Sequence, residues 1–96
     1  MDKFFFVFRG IDHAESQRMR DVLIDAHREY VRRPAPVTMV HGGPLYDAED
    51  RVIGTCLILE AGSKPQVDAW LGDEPFYRAG LFAIASLERW GWSYGR

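Results

Sequence analysis

The feature that most constrains the fold is a run of five apolar residues near the start of the chain, Phe4-Phe5-Phe6-Val7-Phe8, bounded by Lys3 and Arg9. A short run of aromatic and β-branched residues between charges is typical of a β-strand. Side chains along a strand point alternately to its two faces. This strand is therefore apolar on both faces, and a fold built on it must cover both sides of its sheet.

Helical and extended patterns alternate along the rest of the chain. The patterns predict a strand over 3–9, a helix over 14–32, strands over 37–46 and 51–61 joined by a polar turn, a short helix over 63–72, a helical turn over 76–79 and a strand over 81–87. Pro34 and Pro36 end the first helix, and Ser63 with Pro65 is a typical start for the second. The order of major elements is β-α-β-β-α-β.

The first helix has an apolar stripe at spacings of three and four residues, which predicts its buried face. The stripe consists of Met19, Val22, Leu23, Ala26 and Tyr30. Asp12 stands shortly before the helix and is a candidate for its N-terminal cap.

The element order predicts an α+β, ferredoxin-like fold with one four-stranded antiparallel sheet and both helices on one face. No further element is available to cover the other face. Because the first strand is apolar on both sides, the sequence predicts a homodimer with the two open sheet faces packed together. Pairing through the sheet edges is the alternative.

Composition narrows the class of protein. Ninety-six residues with 47% hydrophobic content predict a single domain over 1–96. The net charge of −2 offers no basic field for nucleic acid or an anionic membrane. The single cysteine, Cys56, cannot form an internal disulfide, and the N-terminal apolar run is too short for a secretory signal, so a cytoplasmic location is expected.

An acidic pair, Asp73 and Glu74, stands directly before Pro75 and Phe76. Proline disfavours the helical conformation for the residue before it, so Glu74 should lie at a helix end. A carboxylate held at such a corner under aromatic cover is a candidate functional acid. The alternative is that both acids are solvated helix-terminal charges.

Three histidines are candidates for acid–base chemistry. His27 borders the apolar stripe of the first helix, about 40° from Leu23 around the axis, and Arg20 lies on nearly the same line two turns earlier. This arrangement suits a general base beside an anion anchor, or alternatively a packing residue beside a surface charge. His13 should be a solvated loop residue, and His41 should face either a cleft or, as favoured, the core.

Gly42-Gly43-Pro44 interrupts the pattern of the second strand. Glycines there permit either close approach of a backbone or a ligand, or a β-bulge. No pair of ligands has a metal-binding spacing, no phosphate loop is present, and no nucleophile motif occurs. The sequence therefore predicts neither a metal nor a cofactor.

Taken in order, these segments resemble the YciI-like (YCII-related) family of small bacterial proteins. The resemblance rests on the aromatic first strand, Arg20 and His27, Gly43-Pro44-Leu45, Gly54-Thr55, Trp70, Glu74-Pro75-Phe76, Ala79-Gly80-Leu81-Phe82 and Trp90. It implies a dimeric α/β barrel of ferredoxin-like units, whose active site is centred on the helical histidine and an acid before a proline.

By that resemblance, His27 and Glu74 are the expected catalytic pair. The family usually has aspartate directly before the proline, so Asp73 is an alternative partner for the histidine. Arg20, Gly43, Pro44 and Phe76 are the expected substrate-binding residues. The arginine that the family often carries three residues before the histidine is Ile24 here.

Two functions follow as hypotheses. The first is a cofactor-independent enzyme that transfers protons on a small molecule, as an isomerase, a lyase such as a dehydrochlorinase, or a hydrolase. The second is a homodimeric, non-catalytic module that binds a small ligand or assists a partner enzyme.

Overall fold

The computed structural model describes residues 3–96. Its elements are β1 (Phe4–Asp12), α1 (Gln17–Arg32), β2 (Thr38–Tyr46), β3 (Val52–Ala61), α2 (Lys64–Asp73), α3 (Pro75–Arg78) and β4 (Phe82–Trp90). The strands form one antiparallel sheet in the order β2-β3-β1-β4. This is the predicted ferredoxin-like arrangement, and it is confirmed.

The two-faced first strand occupies an inner position of the sheet, which is where such a strand belongs. Phe8 pairs with Leu57 of β3 on one side and with Leu87 of β4 on the other. The strand also continues to Asp12, three residues beyond the predicted end at Arg9. That extension brings Asp12 to the edge of the helical layer.

The core lies between the sheet and the helices. Its buried members are Phe6, Phe8, Val31, Val37, Leu57, Leu59, Ala61, Val67, Trp70 and Leu71. Alternate residues of β1 and β3 supply one side of this core, and the second helix supplies much of the other. No helix among the described residues is long and apolar enough to cross a membrane.

The predicted buried stripe of α1 is wrong by about one position around the helix. Val22 is 73% exposed, whereas Arg20, His27 and Val31 are buried. The prediction assumed that only apolar side chains would be buried. In the folded chain, however, Arg20 and His27 have buried hydrogen-bond partners. Two polar side chains can therefore face inward without losing their hydrogen bonds.

The predicted cap of α1 is also wrong. The N-cap is Ser16, which makes no side-chain capping bond. Asp12 instead binds the guanidinium of Arg20, as described below.

The second strand runs without interruption through Gly42-Gly43-Pro44. Its register shifts on either side of this segment, at a bulge between Met39 and His41 and again between Leu45 and Tyr46, so the interpretation of the glycines themselves as a bulge is wrong. Pro44 is tolerated because β2 is an edge strand of the sheet. After the bulge, His41 is exposed on the face opposite the helices, neither in the core nor in a cleft.

The corner after α2 follows the sequence closely. Ser63 caps α2 by accepting a hydrogen bond from the backbone N–H of Gln66, as predicted. Glu74 ends α2 and is also the N-cap of α3, with an extended backbone before Pro75. One residue thus joins two helices at a fixed angle.

The open face of the sheet is only partly bare. Ile84 is 65% exposed there, beside Ile11. The C-terminal tail crosses another part of this face, where the Trp92 ring lies edge-on to Phe5 and His41 at centroid distances of 5.3 Å and 5.4 Å. The expectation that no segment would cover this face therefore needs correction.

Candidate functional site

A histidine and a carboxylate from distant parts of the chain meet at the corner between α1 and α3. His27 Nδ1 lies 3.0 Å from Glu74 Oε2. The same oxygen accepts the backbone N–H of Phe76 at 2.9 Å, which is the capping bond of α3. The second acid, Asp73, is exposed on α2 and does not share this pair. Glu74 is therefore the carboxylate that reaches the histidine.

The hydrogen bonds assign the tautomer of the imidazole. An ionised Glu74 can only accept, so Nδ1 of His27 carries the proton and donates it. Nε2 of the neutral ring is then the free acceptor. Within residues 3–96, Nε2 has no hydrogen-bond partner. It is also not fully buried, because Glu74 Oε1 is the fully buried side-chain atom without a partner in this part of the chain. Nε2 therefore remains accessible while Nδ1 is sealed.

Glu74 is almost completely enclosed, with 1% of its surface exposed. Both of its hydrogen bonds go to Oε2, and Oε1 is the buried side-chain atom without a partner in the described part of the chain. Leaving such an oxygen unsatisfied costs about 1–3 kcal/mol. The enclosed carboxylate is therefore held in place by the two hydrogen bonds to Oε2, from His27 and from the backbone of Phe76.

Phe76 holds the imidazole from one side. The two rings are stacked, with centroids 4.1 Å apart and an interplanar angle of 12°. The guanidinium carbon of Arg20 lies 4.7 Å from the centroid of the same phenyl ring. Phe76 is fully buried and does not line the cleft, so it positions His27 and is not the substrate contact that was predicted.

Arg20 is fixed by two acceptors that the sequence pattern did not single out as its partners. Its Nε and Nη2 donate to the two oxygens of Asp12 at 2.8 Å each. Nη2 also donates to the buried hydroxyl of Thr55 at 2.9 Å. This bidentate pair neutralises most of the arginine charge and locks the helix onto β1 and β3.

Gly54 explains why β1 can place Asp12 here. A Cβ at Gly54 would clash with the carbonyl oxygen of Gly10, so the two strands approach too closely for any side chain. Gly54 therefore permits the close approach of the two strands, and Thr55 next to it supplies the hydroxyl that accepts a hydrogen bond from Arg20.

An open cleft of about 400 Å³ lies between α1 and the β2–β3 hairpin. Its size is within the range of small-molecule sites. It is lined by Gln17, Arg20, Asp21, Ile24, His27, Arg28, Val31, Arg32, Met39, Gly42, Gly43, Pro44, Tyr46, Val52, Thr55 and Leu57. Among the predicted site residues, His27, Arg20, Gly43 and Pro44 are thus brought together, and Glu74 stands behind the histidine.

The absence of a side chain at Gly42 lets Met39 and Leu57 pack closely against its backbone at the wall of the cleft. A Cβ there would lie 2.6 Å from Met39 Sδ and 2.9 Å from Leu57 Cδ2, so both neighbours would have to shift. The sequence predicts either a bulge or the close approach of a backbone or a ligand at these glycines, and at Gly42 the groups that approach are two side chains of the protein itself.

A further hydrogen bond ties the two long helices beside the site. The hydroxyl of Tyr30 donates to the carbonyl of Trp70 at 2.7 Å. Burial raises the pKa of the Tyr30 phenol, and the negative charges of Asp73 and Glu74 raise it further. Tyr30 therefore stays a neutral donor over the physiological range.

Within residues 3–96, no cluster of three or more potential metal ligands occurs.

Comparisons with known proteins agree with this geometry. The model of the YCII-related domain matches residues 4–91. A solved structure with a similar fold is 5-chloro-2-hydroxyhydroquinone dehydrochlorinase from Burkholderia phenoliruptrix AC1100, in complex with 2,5-dihydroxybenzoquinone. It is 30% identical, with a TM-score of 0.81 over 91% of this chain and 93% of that one.

Two more distant structures share the fold alone. One, from Nitrosomonas europaea, is provisionally assigned as an antibiotic biosynthesis monooxygenase, and has 11% identity and a TM-score of 0.57 over 96% of this chain and 91% of its own. The other is 30S ribosomal protein S6 from Thermotoga maritima, with 11% identity and a TM-score of 0.50 over 93% and 89%. No curated protein sequence matches the chain.

The fold and the cleft define a ferredoxin-like α+β protein with a histidine–carboxylate pair at its helical layer. Because the family model covers nearly all of the described residues, the chain belongs to the YCII-related domain family.

Proposed function

We propose that this protein is a cofactor-independent enzyme that moves a proton on a small molecule bound in the cleft. His27 is the general base and acid, and Glu74 orients its ring. The observation that carries this proposal is the position of His27, which lines an open cleft while its Nδ1 is hydrogen-bonded to a sealed carboxylate.

The chemistry follows from the tautomer. Nε2 accepts a proton from an O–H or C–H of the substrate, and the imidazolium that forms is stabilised by Glu74. The electron pair left on the substrate either moves along a conjugated system or expels a leaving group from a neighbouring atom. In isomerisation the proton returns to another atom, and in elimination it leaves with the departing group.

The dehydrochlorinase from Burkholderia phenoliruptrix supports a choice among these reactions. At 30% identity over nearly the whole chain, it indicates a small hydroxylated ring as the first substrate class to examine. Fold alone would not support that choice, since the same architecture occurs in a ribosomal protein.

Proton exchange with solvent tests this proposal directly. The protein is incubated in D₂O with a panel of hydroxylated and chlorinated hydroquinones, and NMR follows deuterium incorporation and product formation. His27→Gln should lower the rate about 10²–10⁴-fold, which is the usual contribution of a general base. His41→Gln, the matched control on the other face of the sheet, should leave the rate unchanged. Equal rates for the wild type and His27→Gln would refute the proposal.

A non-catalytic ligand-binding module is the second candidate. The observation that favours it is the capping bond from the Phe76 N–H to Glu74, which gives this carboxylate a structural use independent of chemistry. Under that function, His27→Ala lowers the melting temperature and leaves the affinity for a cleft ligand unchanged.

A further inference from the structure

Two arginines of the cleft differ from Arg20 in having no acidic partner. Arg28 and Arg32 both line the cleft, and neither forms an ion pair with any residue from 3 to 96. The next arginine along, Arg33, does have a partner, Glu29. Arg18 on the same helix also has no ion-pair partner among residues 3–96, so what distinguishes Arg28 and Arg32 is that they line the cleft.

Their spacing places the two guanidinium groups side by side. Residues four apart on a helix are neighbours on one face, and two like charges there destabilise the helix by about 0.2–0.5 kcal/mol. A negative charge bridging them would remove that repulsion. Asp21 also lines the cleft, but it lies nearly two turns before Arg28 and accepts a hydrogen bond from Gln17.

The position of this pair relative to His27 sets the size of a ligand. Arg32 stands five residues after His27, which is about 7.5 Å along the helix axis and about 140° around it, so the two residues lie at opposite sides of the cleft-lining face. A ligand that reaches both must therefore be at least as large as a six-membered ring carrying an acidic group. The opposite wall is lined by Gly43 and Pro44, and the half-exposed Tyr46 also lines the cleft.

We propose that Arg28 and Arg32 form an anion subsite of the cleft, and that the substrate is a small cyclic acid whose carboxylate binds there. The proposal rests on the proposed function, because it names the substrate class of the same cleft. It assigns the anion-binding role to two residues other than Arg20, whose charge is already neutralised by Asp12.

Benzoate and its neutral counterpart benzamide are the probes. Each is titrated into ¹⁵N-labelled protein, and backbone shifts of the cleft residues report binding. Benzoate should bind more tightly than benzamide, and added salt should weaken benzoate alone. The double variant Arg28→Gln/Arg32→Gln should lose about tenfold in benzoate affinity, which is the low end for a charged hydrogen-bonded contact.

The matched control is Arg18→Gln/Arg33→Gln, which removes one positive charge from the same helix and one from its C-cap, both outside the cleft. It should keep the benzoate affinity of the wild type. The inference is overturned by equal binding of benzoate and benzamide, by an equal loss in both double variants, or by the absence of saturable shifts in the cleft.

The two proposals fail separately. If benzoate affinity survives in Arg28→Gln/Arg32→Gln while His27→Gln abolishes proton exchange, the anion subsite is wrong and the enzyme stands. If His27→Gln leaves exchange unchanged while benzoate binding depends on the two arginines, the cleft binds an acid without the proposed chemistry.

Discussion

Two histidines on opposite sides of the sheet are each packed against an aromatic ring, and their surroundings differ in every other respect. His27 is 7% exposed, stacks flat on Phe76 and is hydrogen-bonded to a sealed carboxylate. His41 is exposed, meets Trp92 at an interplanar angle of 60° and has no carboxylate partner in the described chain. The hydrogen bond to Glu74 fixes the tautomer of the first imidazole, whereas no side-chain hydrogen bond among residues 3–96 fixes that of the second.

This difference shows that an adjacent aromatic ring does not by itself fix the surroundings of a histidine. What distinguishes His27 is the combination of a buried acceptor behind it and an open cleft before it. The acceptor in turn depends on the corner between α2 and α3, because the same oxygen of Glu74 caps the short helix. The His27–Glu74 pair therefore depends on the fold of the helical layer, whereas His41 on the open face has no comparable link to a helix cap.

The largest expected effect on stability comes from removing the carboxylate partner of His27. Glu74→Ala should reduce the free energy of unfolding by about 2–4 kcal/mol, because it removes a helix cap and leaves His27 without its buried partner. Urea denaturation measures this loss. Asp73→Ala, one residue away and exposed, is the control and should change stability by less than about 0.5 kcal/mol. Equal losses in both variants would mean that Glu74 is not a structural partner of His27.

An intermediate effect is expected on the open side. We expect the protein to form a homodimer through this face, because Ile84 and its apolar neighbours remain exposed beside the tail. Ile84→Lys should convert the dimer to a monomer, as measured by light scattering, with little loss of monomer stability since the side chain is largely solvated. Ile84→Val is the matched control. A dimer that survives the lysine would indicate pairing through the edge strands β2 and β4.

The smallest effect is expected at Asp47, a partly exposed carboxylate that, like Glu74, accepts hydrogen bonds from backbone N–H groups. Asp47 accepts the N–H groups of Glu49 and Arg51 in the β2–β3 turn, and the Arg51 backbone bond lowers the pKa of its carboxyl. Its stabilisation is therefore present above the unfolded value of about 3.9 and is lost as pH falls through the lower folded value.

Asp47→Asn should accordingly be slightly less stable than the wild type at neutral pH, with a gap that closes below about pH 3.9. Thermal unfolding of both proteins across this pH range measures the gap. A gap that widens on acidification would show that the turn is stabilised by something other than the ionised carboxylate.

Much of the fold could be predicted from local signals. The aromatic run gave the central strand, the prolines ended α1, and Ser63 with Pro65 began α2, because each of these depends on the conformation of a few adjacent residues. Strand ends were less certain: β1 and β4 each continue three residues beyond their predicted limits, since pairing with neighbouring strands extends them.

The face of α1 could not be predicted from hydrophobicity. Arg20 and His27 turn inward because Asp12, Thr55 and Glu74, from three other segments, satisfy them there. No pattern within the helix contains that information. The position of the β2 bulge and the side of the sheet on which His41 lies are likewise set by pairing with β3.

By itself, the sequence determined the order of elements, the two-faced central strand and the turn chemistry that places an acid before Pro75. Only the tertiary structure decided that Glu74 and not Asp73 reaches His27, and that Arg28 and Arg32 are the unpaired cations of the cleft. The physical reason is that backbone preferences act over a few residues, whereas hydrogen-bond partners and burial depend on segments that meet only in the folded chain.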